Sequence, residues 1–290
     1  MLASLDAPAM AESLGGWDNF ESGLSTAFLI EEDYVGFPLN IETVAIFANT
    51  ANAKANGIDL TQPIEFSDLA PTDMLTAITG AYYGVAFTNA VDLTLLDINE
   101  NGEFFSDLTK DFSDLTQAQQ DLFSTMFEYW KSHNELATDL WDYEAIWGYR
   151  DVSFVSGGPT SLRIDGPWVM VAMDEKTNGG QDLDILPLSA VTINGTPLKH
   201  WKSGWGLVAN ARIEEDPAKV ELAQELIKEI VNPEYAQSLF EATGKILENV
   251  PVEHYQSTEL PEIDKKIISA IIESYNQAIP QPRMMEWNQV

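Results

Sequence analysis

Cysteine is absent from all 290 residues, which excludes disulfides, thiolate metal centres and cysteine nucleophiles but leaves the compartment open. Positive charge is scarce. Fifteen Lys and Arg stand against 46 Asp and Glu, a formal charge of −31. Such a surface repels phosphate backbones and anionic membranes, so nucleic acid is not an expected partner. The carboxylates themselves read as a solvated acidic coat. Only His133, His200 and His254 could serve as an imidazole base, and there is no G-x-S-x-G elbow, G-x-G-x-x-G fingerprint or G-x-x-x-x-G-K-[ST] loop. No stretch nears the ~18 apolar residues of a membrane span. Residues 1–6 lack the basic and apolar regions of a signal peptide. That leaves a cytosolic protein, or one whose export segment lies outside this sequence.

What is present is a core. Apolar residues make up 45% and aromatics 10%, the composition of a globular chain long enough for two domains. The organising stretch is 161–173, Ser-Leu-Arg-Ile-Asp-Gly-Pro-Trp-Val-Met-Val-Ala-Met. Residues 161–164 alternate like a half-buried strand. Gly166 and Pro167 stop it, because proline donates nothing to a ladder and its fixed φ suits the first turn of a helix. Asp165 stands where a short carboxylate caps exposed amides. Trp168 therefore leaves the sheet at a strand-to-helix turn, the end of an α/β sheet where ligands collect. From this stretch alone two readings stand: a flat platform for a sugar ring, or a core indole closing a turn.

Elsewhere the chain alternates strands and helices, the pattern of an α/β fold. Gly15, Gly16 and Gly23 break up the first 34 residues. Residues 35–39 and 44–48 read as strands separated by a polar break that contains Glu42. Residues 51–57 form a short helix with a glycine cap. Residues 74–96 read as a strand, an exposed loop carrying Tyr82 and Tyr83 between Gly80 and Gly84, and a helix from about Val85. That tyrosine pair suits either a ligand-facing loop or a packed corner. Asp97-Ile-Asn-Glu-Asn-Gly resembles half of a calcium loop, but Leu108 stands where a bidentate Glu is required, so Asn101-Gly102 is read as a hairpin turn and no metal is expected. Residues 116–137 form the clearest helix, with Leu122, Phe123, Met126, Phe127 and Trp130 as a core stripe. Asn194-Gly195 is a second hairpin turn, residues 199–210 a loop entering a strand, and 217–231, 233–242 and 263–275 are helices.

These residues carry a resemblance. Residues 31–49 are similar to the crossover segment of the family 1 extracellular solute-binding proteins, the maltose-binding-protein-like subunits of ABC importers. Residues 154–168 resemble the same family's segment ending in Gly-Pro-Trp, and Leu186-Pro187, 204–210, the helices over 217–242 and Thr243-Gly244 follow in its order. Thr50-Ala51 and Gly158-Pro159 depart from the family's usual residues at their positions. About a hundred residues expected upstream and the closing helices downstream are missing from the pattern.

The resemblance implies a two-lobe periplasmic-binding-protein-like fold, with residues 1–40 and 205–250 in an incomplete first lobe and 44–200 and 256–290 in the second. Crossovers are then expected near 40–44, 200–205 and 250–256. It further implies a monomeric, extracytoplasmic, lipid-anchored or periplasmic protein that captures a sugar between its lobes and passes it to an ABC permease, with no cofactor and no catalysis. Carried onto this sequence, Glu42 falls at the hinge, Trp168 is the main stacking platform and Trp287 a second one. Tyr82 or Tyr83 lies beside the sugar, and Trp205 reaches the site from the return crossover. A glycoside hydrolase is the alternative, since carboxylates beside aromatic platforms are what that chemistry needs, though no two carboxylates stand out as acid and nucleophile.

Overall fold

The structure is a computed structural model that describes residues 2–20, 24–284, 286 and 287; Gly23, read above as a break, lies outside them. The chain divides into two compact units, residues 1–43 with 202–276 and residues 44–201 with 277–290. The last exchange falls at 276/277, not near 250–256. Helix Glu262–Gln277 belongs, up to its last residue, to the first unit, because its apolar face is buried there: Ile267, Ile268, Ile271 and Tyr275 are shielded from solvent, and the Lys202 ammonium sits 5.5 Å from the Tyr275 ring. Among the described residues no helix is long and apolar enough to cross a membrane.

In the first unit, strand Phe37–Glu42 pairs antiparallel with Ile246–Leu247 on one side and Trp201–Leu207 on the other. It runs through the expected polar break. Pro38 cannot donate to the ladder, and the register with the neighbouring strand shifts between Trp205 and Gly206, opposite it. Helix Pro217–Ile230 starts on an Asp216 cap with proline in its first turn. Of its apolar residues Ile227 is buried but Leu226 is exposed. Helix Ala236–Thr243 ends on Gly244 with φ 68°, a left-handed cap that a side chain resists.

In the second unit the main sheet runs Leu183–Leu186, Ala45–Asn49, Leu162–Asp165, Met74–Leu75. The first three strands are antiparallel and the last is parallel to its neighbour. Strand Leu162–Asp165 is buried at all four positions, so its alternation of apolar and polar residues does not mark a solvent face. Instead, buried Arg163 and Asp165 pair with each other. Helix Gln117–Glu135 opens with a Thr116/Gln119 capping box. Its core face is Leu122, Tyr129 and His133, with the expected Phe123 and Met126 packed against the core, whereas Phe127 and Trp130 are exposed and stack on each other at 5.7 Å. Tyr129 and His133 take the inside because their polar ends find acceptors there, the Met74 and Pro71 carbonyls. Hairpins form at both expected turns, Asp97–Phe105 and Val191–Pro197.

Candidate functional site

Trp168 stands where strand Leu162–Asp165 ends and the turn Pro167–Val169 leads into helix Met170–Lys176. It is 46% exposed, so it is not a core indole. Its ring folds back over the Gly166 backbone. A Cβ built on Gly166 would lie 2.0 Å from the Trp168 ring, so only glycine lets the indole lie there. The face turned from the backbone is the one a ligand can reach.

Beside it runs helix Ala81–Ala90. Tyr82 and Tyr83 are not in an exposed loop: Gly80 is the N-cap, and both tyrosines lie in the first turn. Gly84 lies inside the helix, where a Cβ would approach the Ile78 carbonyl to 2.9 Å, so the position favours glycine. The Tyr82 ring lies 6.2 Å from Trp168 and 5.5 Å from Tyr83, and Tyr83 lies 6.0 Å from Trp147. Four rings thus form a row, Trp168–Tyr82–Tyr83–Trp147. Tyr82, Tyr83, Tyr143, Ile146 and Trp147 wall a cavity of about 250 Å³ at its far end.

Under the row lies a buried charge network. Arg150 Nη2 and Arg163 Nη2 both donate to Asp165 Oδ2, at 2.6 and 2.5 Å, and the Tyr83 hydroxyl donates to Oδ1 at 3.2 Å. Asp165 was expected to cap a helix. It accepts one amide, that of Gly166, and is otherwise held by the Tyr83 hydroxyl and the two guanidiniums. The Arg150 guanidinium sits 5.2 Å from the Tyr83 ring and 5.3 Å from the Trp147 ring, within cation–π range. Burial, and then the nearby Asp165 charge, push the Tyr83 hydroxyl up to about 12, so it remains a donor at all ordinary pH. Behind Tyr82, His200 donates from Nε2 to the Tyr82 carbonyl at 2.5 Å. Complete burial pulls its pKa down to about 4, so the imidazole is neutral.

Trp287 lies elsewhere in the same unit. It packs edge-on against Trp201 at 5.0 Å and lines a second cavity of about 210 Å³ with Val85, Asn89, Leu93 and Pro282. Glu42 and Trp205 come together in the first unit, where the indole Nε1 donates to Glu42 Oε2 at 2.8 Å and the Lys245 ammonium sits 5.4 Å over the ring. Trp205 is 59% exposed. Glycines flank it of necessity: a Cβ on Gly204 would meet the Asn40 carbonyl at 2.0 Å, and one on Gly206 would meet the Phe28 ring at 2.2 Å.

The fold of the chain has solved counterparts. The chain is similar to the maltose-binding periplasmic protein MalE of Listeria monocytogenes, solved with maltose (16% identity, TM-score 0.63, covering 99% of this chain and 70% of that one). It is similar to an extracellular solute-binding protein of Staphylococcus aureus, also solved with maltose (16%, 0.61, 99% and 69%). MalX of Streptococcus pneumoniae, solved with maltopentaose, matches at 17% identity and TM-score 0.60 over 99% of this chain and 83% of that one. The fold is a solute-binding-protein fold. No family model and no curated protein matches the chain in sequence.

Sequence reasoning did not assign Trp147, Arg150 or Lys245 to the site. Trp147 and Arg150 stand three apart on helix Ile146–Ser153, a spacing that puts them on one face. That spacing was the available signal. Lys245 carried none beyond following the Gly244 cap.

Proposed function

We propose that this chain is an extracytoplasmic solute-binding protein that captures a sugar or oligosaccharide on the Trp168–Tyr82–Tyr83–Trp147 row and delivers it to an ABC importer, without turning it over. The row carries this reading. The exposed indoles of Trp168 and Trp147 at its two ends, with buried Tyr83 between them as support, offer the apolar faces that sugar rings stack on. Covering the part of Trp168 that is still exposed, 46% of the residue, removes on the order of 100 Å² from water, at most ~2–3 kcal/mol at ~25 cal/mol per Å² before ordering costs. Two such contacts plus hydroxyl hydrogen bonds suit binding that is firm yet reversible. The solved neighbours, which hold maltose or maltopentaose, favour a sugar over other small solutes. Glu42 and Trp205 are proposed as a second polar and aromatic contact, and Trp287 as a further platform. The chain is proposed to act as a monomer, with a permease as its protein partner.

The carboxylate that touches the row is poorly suited to acid–base chemistry, since Asp165 is fixed between two guanidiniums. A glycan panel read by thermal shift and tryptophan fluorescence tests the proposal. Stabilisation and altered fluorescence with unchanged sugar are expected. Hydrolysis of an aryl glycoside, or no response to any glycan, would overturn it.

A further inference from the structure

The charge beneath the aromatic row does not balance. Arg150, Arg163 and Lys176 share two carboxylates, Asp165 and Asp151, which leaves one net positive charge in a chain of formal charge −31. The excess lies at Arg150. Arg163 also reaches Asp151 at 2.9 Å and Lys176 reaches it at 3.3 Å, but the sole carboxylate paired with Arg150 among the described residues is its share of Asp165, beside a neutral acceptor, the Ile164 carbonyl, at 3.0 Å from Nη2. Arg150 is 1% exposed, and its Nε and Nη1 find no hydrogen-bond acceptor. Unmet donors on a buried cation are destabilising, and such a group in a native structure calls for an explanation. Directly over this guanidinium lie the Tyr83 and Trp147 rings, which wall the cavity at the end of the row.

Resting on the sugar-binding reading, we infer that the cavity of Tyr82, Tyr83, Tyr143 and Trp147 takes an anionic sugar, its carboxylate or sulfate ester lying over the Tyr83–Trp147 wall against the field of Arg150. A low-dielectric aromatic wall screens that field little, so it acts on a ligand group that does not touch the guanidinium. The acidic coat opposes an anion at longer range, but salt confines that effect to about 8–10 Å. An aromatic box on an acidic protein would otherwise suit a quaternary ammonium ion. Here a cation already occupies the cation–π position on two of the rings.

The test compares ligands on the intact chain. Galacturonate oligomers and sulfated galactose oligomers are titrated calorimetrically beside their carboxyl-reduced and desulfated forms, at low and at high salt, with choline as the cationic probe. The expected result is roughly tenfold or greater preference for the anionic member of a pair at low salt, shrinking at 1 M salt. The two pairs report whether carboxylate or sulfate is the group preferred. Arg150→Met, which leaves Asp165 paired with Arg163, should collapse that ratio; the salt dependence of the native protein needs no variant. Equal or tighter binding of both neutral forms, or tight binding of choline, overturns the inference while sugar capture or solute capture stands. No binding of any glycan removes the sugar-binding reading itself.

Discussion

The two most exposed indoles proposed for the site are held in opposite ways. Trp168, in the second unit, is fixed by shape. It lies on a bare glycine backbone beside the Tyr82 ring, with no hydrogen bond needed to set its plane. Trp205, in the first unit, is fixed by polar partners, a carboxylate at its edge and an ammonium over its face. A platform held by packing is insensitive to salt and sensitive to a single methyl group. One held by exposed charges has the reverse profile, because screening weakens surface pairs. The comparison also separates what each indole offers: Trp168 a purely apolar face, Trp205 a face already polarised by Lys245 beside a Glu42 oxygen that a hydroxyl could share.

The largest effect should come from beneath the packed platform. Asp165→Ala leaves two buried guanidiniums without their common partner, and denaturant unfolding should show a loss of about 3–5 kcal/mol. A loss below 1 kcal/mol would mean that the network contributes little to holding the row. Next, Gly166→Ala should displace the Trp168 ring at a stability cost of about 1–3 kcal/mol and lower glycan affinity about as much as removing the indole; unchanged affinity would show that the ring's resting plane does not matter. At the polar platform, Glu42→Ala should weaken binding only two- to fivefold, the scale of one exposed hydrogen bond, with the difference fading in high salt. A tenfold or larger loss would make Glu42 a direct ligand contact, not an anchor for Trp205.

The remaining effect is in pH. His200 is held neutral with its pKa near 4, below its ordinary 6.5. The unfolded chain therefore binds the extra proton first as pH falls, and stability drops between about pH 6.5 and 4. The ceiling is about 3 kcal/mol. Buried His133, also shifted down, adds to the same slope. Melting temperature followed from pH 7 to 4 should fall less steeply in His200→Gln than in the native chain; identical slopes would contradict the burial of a neutral imidazole behind Tyr82.

The platforms differ in how they show in sequence, and so does the fold. Gly166-Pro167 announces the turn that releases Trp168, because each residue has one backbone use there, and Thr116 with Gln119 announces a helix start. Glycines mislead where their reason is spatial: Gly80 and Gly84 read as loop residues, yet one caps a helix and the other is pressed against the Ile78 carbonyl. Periodicity finds only part of the inner face of helix Gln117–Glu135: Leu122, Phe123 and Met126 meet the core, but hydrophobicity alone cannot anticipate that Tyr129 and His133 have acceptors waiting. The Arg150–Asp165 pair links residues on different elements, and nothing local in one sequence announces such a partnership. The last exchange between units was likewise hidden, because an amphipathic helix fits either core by composition.

Trp168→Ala decides the account. Because the indole is nearly half exposed, the variant should melt within a degree or two of the native protein. Calorimetric titration with the tightest glycan of the panel should nevertheless show affinity reduced by tens-fold or more. An unchanged affinity with an unchanged melting temperature would contradict the claim that the aromatic row is where the sugar binds.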